Sequence, residues 1–428
     1  MHLTRIAAVT GCAALALAGA ACSSRTAGSS DTTSTAATQP PAGSGGATAG
    51  SAAGGSGAPD ASKPYRLLIL APMSGALKTA GTGYSAAALV AVDDINASGG
   101  ILGRKVVAKV VDDQSQPNQA VTLLQQELSG PERPDAVYAG ATSNESLALV
   151  PILSREKIVN IGVSSSNVLN DPAKYPYTFR AVPPSKYYAE YLGRTLKAKG
   201  YQKISIVASN DALGKSISDD EKAGMTAAGL TVSEATFNST DLDLTATLSQ
   251  AKDQNPDAVV SSALLPQTSA LILQAREKVG LTAPLYADAT MSGDVASLVQ
   301  PSALKDVSVA SYAINFPAAA TPALKKLTDA VKAKLDGKVP NYVLAYAYSY
   351  DAVKLLQVSA KVAGSTDADK VKAALENLPE QPAGTYLSFP QYKFTTASHF
   401  NMAVQDSDFD VKPLGAMVDG QFTPPAGG

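Results

Sequence analysis

Short apolar runs alternate with amphipathic stretches along most of the chain. Tyr65 to Ala71 (YRLLILA) is apolar throughout, the pattern of a strand buried on both faces. A loop over Pro72 to Gly83 follows, and a helix is predicted from about Tyr84 to Asn96, stopped by Ser98-Gly99-Gly100. The next strand, Lys105 to Val111, closes on Asp112-Asp113, and Pro117 opens a helix running to about Leu128. Ala136 to Ala139 is another buried run ending at Gly140. Thr142, Ser143 and Asn144 come next, and then a helical pattern with Leu147, Val150 and Leu153 on one face. A further run, Ile158 to Val163, ends in Ser164, Ser165, Ser166 and Asn167. Two strand ends therefore open into hydroxyl and amide side chains, with a helix start beside one of them. In open α/β sheets ligands sit at such edges, where helix N-termini offer free N–H groups.

The alternation continues. Helices are predicted at Lys186–Lys199, Leu213–Ala228, Leu244–Asp253 and Thr268–Val279, with strands at Lys203–Ala208, Leu230–Phe237, Asp257–Ser261, Pro284–Ala287 and Asp306–Tyr312. Helices at about Pro322–Leu335, Tyr342–Val362 and Ala368–Asn377 complete the series. This spacing is that of an α/β protein with doubly wound, Rossmann-like parallel sheets, and the length accommodates two lobes. Right-handed crossovers would put the strand-end loops of each sheet on one edge. The Pro pair in Thr178–Ser185 (TFRAVPPS) marks a crossing between lobes, with others expected near 313–317 and 384–390. Lobe one is assigned to 63–181 plus 314–383, and lobe two to 182–313 plus 384–428.

The first residues do not belong to this pattern. Arg5 precedes an Ala-rich apolar stretch, Ile6 to Ala21, too short for an ordinary transmembrane helix, so 1–21 reads as a signal peptide. It ends in LAGAAC at Cys22, similar to a bacterial lipobox except that Gly19 stands where an aliphatic residue is usual. Ordinary secretion after Ala18-Gly19-Ala20 is the other reading. Lipidation at Cys22 is favoured because Cys12 lies in the leader and the mature chain otherwise has no thiol, which also excludes a disulfide framework. Residues 22–62 are rich in Ser, Thr, Gly, Ala and Pro and form a flexible tether. Forty such residues span roughly 35 Å root-mean-square.

Composition narrows the chemistry. The net charge is −2, so no basic surplus points to nucleic acid. There are two histidines, His2 in the leader and His399, which leaves little room for His-based catalysis or a metal site. No GxSxG, HExxH, CxxC or Walker pattern occurs. Gly81-Thr82-Gly83-Tyr84-Ser85-Ala86 imitates a dinucleotide fingerprint but stands about ten residues beyond its strand. Asp93-Asp94 read as solvated helix surface, Tyr342, Tyr346 and Tyr350 as a packed helix face, and His399 as a core or surface histidine with no acidic partner nearby in sequence.

A series of motifs in order carries a resemblance. APMSGALKTAGTGYSAAALVAVDDINASGGILGRK, then DDQSQP with QAVTLLQQEL, the stretch 135–167, YPYTFRAVPPS and GYQKISIVASNDALG together resemble the type I periplasmic-binding-protein family. The branch is that of the branched-chain amino-acid and amide receptors of ABC importers, and the likeness extends from about Pro64 to Leu414. It implies two lobes joined by three crossovers that close on a ligand like a flytrap. It also implies that Ser143, Ser164 and Ser166 hold the ligand's carboxylate, with Ser74 in the first loop. Thr142 has capping-box spacing to Glu145, so it either caps the helix or joins the site. Ser165, between two proposed contacts, would point away in an extended segment.

Lobe two departs from the family's amino-acid pattern. Leu213 stands where an aromatic commonly precedes a Gly, and the next loop reads Ala263-Leu264-Leu265-Pro266-Gln267. Asp288 lies one position from the place of the acid that pairs with a ligand ammonium, which here is Ala289. Asp211, Leu213, Leu264, Gln267 and Asp288 are the lobe-two candidates. The resemblance implies a non-enzymatic, monomeric solute receptor without cofactor or metal, lipid-anchored at Cys22 on the outer face of the plasma membrane and delivering its ligand to ABC permease subunits. The expected ligand is a small carboxylate- or amide-bearing solute, branched-chain amino-acid-like or hydrophobic. A same-fold sensor for a signalling partner and a secreted His-independent hydrolase are the alternatives.

Overall fold

The computed structural model describes residues 60–139, 141–263, 265–287 and 294–425. The leader, Cys22, most of the tether, Leu264 and Asp288 lie outside the described residues. Among the described residues no helix is long and apolar enough to cross a membrane.

The first sheet is built from β1 (Tyr65–Ala71), α1 (Lys78–Ala97), β2 (Val106–Asp112), α2 (Pro117–Ser129), β3 (Ala136–Ala139), α3 (Ser143–Arg155), β4 (Val159–Gly162) and β5 (Thr178–Arg180). Its five strands run parallel in the order β2-β1-β3-β4-β5. The pleat sends Leu68, Leu70, Val137 and Ala139 to a face covered by α2 and α3. Leu67, Ile69, Ala136 and Tyr138 go to the other face, against α1 and a later helix. Chain reversal at β3–α3 and β3–β4 therefore leaves both polar strand ends on one edge.

The second sheet follows α4 (Ser185–Ala198). It comprises β6 (Lys203–Ser209), α5 (Ala212–Ala227), β7 (Thr231–Phe237), α6 (Thr245–Asp253), β8 (Ala258–Ser262), α7 (Pro266–Val279), β9 (Leu285–Ala287) and β10 (Val307–Tyr312). Val207, Val259 and Val309 pack on α6 and α7, and Ile206 and Val260 pack towards α4. The chain then supplies α8 (Pro322–Lys334), α9 (Val343–Ala363) and α10 (Ala368–Glu376), with α8 and α9 packed against α1 of the first sheet. It returns with β11 (Phe409–Pro413), antiparallel to β10, to give the order β11-β10-β9-β8-β6-β7. A hairpin of β12 (Met417–Val418) and β13 (Gln421–Phe422) ends it.

Two boundaries differ from the sequence reading. The helix expected from Tyr84 begins at Lys78, because Gly81 and Gly83 serve as contact points and not as breakers. A Cβ at Gly81 would lie 2.0 Å from the Pro72 carbonyl, and one at Gly83 2.1 Å from Asn341 Oδ1. The segment from 384 to 401, assigned to lobe two, packs with the first sheet. Leu387 and Ser388 donate their N–H groups to Asp351 on α9, each at 2.8 Å, and Phe400 bridges to Arg180 on β5. Its return to the second sheet falls between Phe400 and Phe409. The apolar series Phe389, Tyr392, Phe394 drives this. It forms an aromatic seam from Phe179 on β5 to Tyr312 on β10, with centroids 5.4–6.0 Å apart. His399 belongs to the same seam. It stacks on Phe179 at 3.9 Å, and its Nε2 lies 3.0 Å from Glu376, an acidic partner that proximity in sequence did not reveal.

Candidate functional site

The start of α3 is fixed by a reciprocal pair. Thr142 Oγ1 accepts from the Glu145 N–H at 3.4 Å, and Glu145 Oε2 accepts from the Thr142 N–H at 3.3 Å. Thr142 is therefore the cap, and Ser143 is the first helical residue. Ser143 Oγ accepts from the Ser166 N–H at 3.2 Å, which ties the two polar strand ends together. Ser164 Oγ shares a hydrogen bond of 2.7 Å with Ser146 Oγ.

A cleft lies between the carboxyl edges of the two sheets, in two compartments. The outer one is lined by Leu77, Ser115, Thr142, Ser143 and Asn144 on one side and by Asp211, Leu213, Phe237, Leu265 and Thr268 on the other. The inner one lies towards the crossings, between Tyr84, Val163 and Ser164 of the first lobe and Tyr188, Leu213 and Ile217 of the second. Ser143 and Leu213 line both compartments.

Several expected residues thus meet, and others do not. Ser143, Ser164, Thr142, Asp211 and Leu213 line the cleft. Asp211 is committed locally, because its Oδ1 caps α5 by accepting from Leu213 and Gly214 N–H at 3.1 and 2.9 Å. Ser74 lines neither compartment, and its N–H is held by Asp112 Oδ1 at 3.1 Å. Gln267 is exposed; α7 begins at Pro266, and its helical turn presents Leu265 and Thr268 to the cleft. The serine assignment also shifts. Ser165 lines the inner compartment, whereas Ser166 is fully buried, with an Oγ that has no partner among the described residues. The strand stops at Gly162, so two-residue alternation no longer governs 163–166. Leu264 and Asp288 lie outside the described residues.

The inner compartment holds residues that sequence reasoning missed: Tyr84, Tyr188, Tyr312 and Tyr348, with Tyr342 moved from the helix-face reading to the cleft wall. They come from separate segments, and only the fold assembles them. Arg180, at the end of β5, was also missed. It is wholly buried, and none of its guanidinium nitrogens has a partner among the described residues. A Cβ at Gly162 would lie 2.3 Å from its Nη1, so the glycine makes room for it. Burial pulls its pKa down to about 9, with Tyr138 opposing, so it remains a cation at neutral pH. Among the described residues no group of three or more His, Cys, Asp or Glu could hold a metal ion.

Two sheets with facing carboxyl edges and a cleft between them describe a solute clamp. The sequence profile of the periplasmic binding proteins matches residues 64–406. The chain belongs to the periplasmic binding protein family. It is a solute-binding protein of the type I fold and not an enzyme. It is 27% identical over 342 residues to the Leu/Ile/Val-binding protein BraC3 of Rhizobium johnstonii, covering 76% of this chain and 87% of the relative. Among solved structures it is similar to a periplasmic binding protein type 1 from Bordetella pertussis Tohama I, with a TM-score of 0.71, 20% identity, and coverage of 82% of this chain and 97% of that one. It is also similar to the branched-chain amino acid transporter substrate-binding protein LivJ from Streptococcus pneumoniae in complex with isoleucine. There the TM-score is 0.65 at 22% identity, covering 81% of this chain and 98% of that one.

The lobes of this periplasmic binding protein touch across the cleft. Asn167, just past the serine cluster, donates its N–H to Ser216 Oγ at 3.1 Å and its Nδ2 to Asp220 Oδ2 at 2.7 Å, both on α5. Ser185 donates to the same carboxylate. The two Asn167 contacts are available only when α5 lies against the first lobe.

Beneath the α3 cap, Asp113 and Glu145 are buried together, at 0% and 1% exposure. Burial pushes the Asp113 carboxyl up to about 7, helped by the neighbouring charges of Glu145 and Asp112 and opposed by the Ser115 N–H. Burial raises Glu145 as well, against its hydrogen bonds with Thr142. Because both folded-state values lie above the unfolded ones, the stability these groups contribute is complete below the unfolded carboxyl range. It is lost as pH rises towards 7. Asp113→Asn should therefore stabilise the protein at pH 8 by on the order of 2 kcal/mol and change it little at pH 4. Denaturant unfolding at the two pH values measures this, and an equal effect at both would remove the buried pair as its source.

Proposed function

We propose that the protein is the extracytoplasmic receptor of an ABC importer and that it captures a small carboxylate- or amide-bearing solute between its lobes. Ser143 carries the reading. Its oxygen already accepts from the Ser166 N–H, so its proton is left to donate to a ligand oxygen. The N–H groups of Ser143 and Asn144 belong to the first turn of α3, have no partner within the helix, and carry the positive end of its dipole. Arg180 adds a buried positive charge on the same sheet edge. All three favour an anionic or carbonyl oxygen over a cation.

In this reading the first lobe binds through Ser143, Ser164 and the helix start, and Thr142 fixes that start. Ser166 contributes its N–H to Ser143 and not its hydroxyl to the ligand. The second lobe then closes over the ligand with Leu213, Leu265 and Thr268, and the Asn167–Asp220 contacts join the gains made only on closure. The name of the Rhizobium relative supports a branched-chain amino-acid-like or hydrophobic solute. The leader and Cys22 support lipid anchoring on the outer face of the plasma membrane, from which the tether lets the closed protein reach permease subunits.

A thermal-shift screen of amino acids, keto acids, amides and aromatic acids identifies the binder, since stabilisation grows with the logarithm of ligand concentration over the dissociation constant. With that binder, Ser143→Ala should weaken affinity by about 1–3 kcal/mol while the unliganded melting temperature stays nearly constant. Unchanged affinity takes Ser143 out of the site. Cys22→Ser should release the protein from the membrane fraction into the medium; retention of the variant on the membrane argues against lipidation.

A further inference from the structure

Two acids lie beneath the cap of α3, the helix start at which the ligand's carboxylate is placed. Glu145 is two residues beyond Ser143, in the first turn. Asp113 follows β2, and its Oδ1 accepts the Ser115 N–H at 3.0 Å. Both side chains are shut off from water. Each keeps one oxygen, Asp113 Oδ2 and Glu145 Oε1, without a hydrogen-bond partner among the described residues. A buried carboxylate oxygen with no donor is unfavourable, and a proton on it removes the charge. Burial is the main influence on both acids and favours their neutral forms. The charges that face Asp113 are Glu145 of α3 and Asp112 at the end of β2. Glu145 faces the hydroxyl and N–H of Thr142. No lysine or arginine acts on either acid. Asp112 stays ionised, because its Oδ1 accepts the N–H groups of Met73, Ser74 and Gln114 at 2.9, 3.1 and 2.8 Å and these outweigh its burial.

The pair and a bound carboxylate draw on the same helix start. The free N–H groups and the dipole of the first turn favour one negative charge there, and a second close by is repelled by it. A ligand anion at Ser143 therefore strengthens the hold of the acids below on a proton. That proton comes from solvent and goes onto Asp113 Oδ2 or Glu145 Oε1, the two oxygens with room for it. Linkage is reciprocal, so a proton on the pair strengthens ligand binding by the same factor. We infer that capture of a carboxylate at Ser143 takes up a proton on the Asp113–Glu145 pair, so that the receptor binds anionic ligands more tightly as pH falls. Burial holds the Asp113 carboxyl up at about 7, so the coupling operates from there upwards. At lower pH the pair already carries the proton, and affinity levels off. The inference rests on the reading of Ser143 as the carboxylate anchor.

The test is calorimetry on the full chain with leucine, isoleucine, 4-methyl-2-oxopentanoate and 3-methylbutanoate at pH 6 and pH 8. A second set at pH 7.5 compares phosphate with Tris, whose protons carry different heats. The expected result is an affinity about fivefold lower at pH 8 than at pH 6, with a slope of at most about tenfold per pH unit for one proton. The binding heats in the two buffers should differ by the uptake of up to one proton per ligand. Asp113→Asn combined with Glu145→Gln, which keeps the capping spacing, should bind with equal affinity at both pH values and take up no proton. Asp113→Asn alone should at least halve the proton uptake, so the inference stays testable if the double variant does not fold. Carboxylates that bind, are weakened by Ser143→Ala, and show neither pH dependence nor proton uptake overturn the coupling and leave the proposed receptor function standing. A pH dependence that both acid variants leave intact does the same. If none of the four carboxylates binds at either pH, or Ser143→Ala changes none of them, both fail.

Discussion

Parallel strands impose a direction on everything in this protein. Each strand of a β–α–β unit must leave the sheet at its carboxyl end, so loops and helix starts collect on one edge. Both lobes obey this, and the crossings set the two edges face to face. The cleft exists because of that topology and not because of any one side chain. Within it, the Thr142–Glu145 pair determines where α3 begins, and so places Ser143, opposite Leu213, where the two compartments meet.

The same edge holds unfavourable electrostatics. Arg180 is a buried cation without a counter-charge among the described residues, and Asp113 and Glu145 are two carboxyls buried against each other. Removing ionised groups from water is unfavourable, and proteins keep such arrangements where they bias a site. Here the cation lies behind the strand ends that hold the serine cluster, and the acidic pair lies under the cap of α3. Closure adds a third contribution. Asn167 and Asp220 come from opposite lobes, so their hydrogen bond is lost when the cleft opens. Ligand affinity and lobe closure are consequently linked, each drawing on contacts that the other makes available.

Much of this was legible in the chain. The regular alternation of apolar runs and helical patterns specified the two sheets, and the polar residues after Ala139 and Gly162 marked the edge that lines the cleft. Where regular backbone ended, legibility ended with it. Ser165 lines the cleft and Ser166 is buried, because alternation holds in a strand and not in the turn beyond Gly162. Gly81 and Gly83 were placed in the loop before the helix but serve as contact points that let α1 approach Pro72 and Asn341. The segment 384–401 has little regular structure, so its place beside the first sheet came from aromatic packing. The inner compartment gathers residues from α1, α4, β10 and the start of α9, and no local signal announces such a convergence.

The most direct measurement is a crystal structure of the protein with the binder found by thermal shift. The expected density places a ligand oxygen within hydrogen-bonding distance of Ser143 Oγ and the first N–H groups of α3, with Asn167 against Asp220. A ligand bound elsewhere in the cleft, with Ser143 bonded only to Ser166, would contradict the central claim.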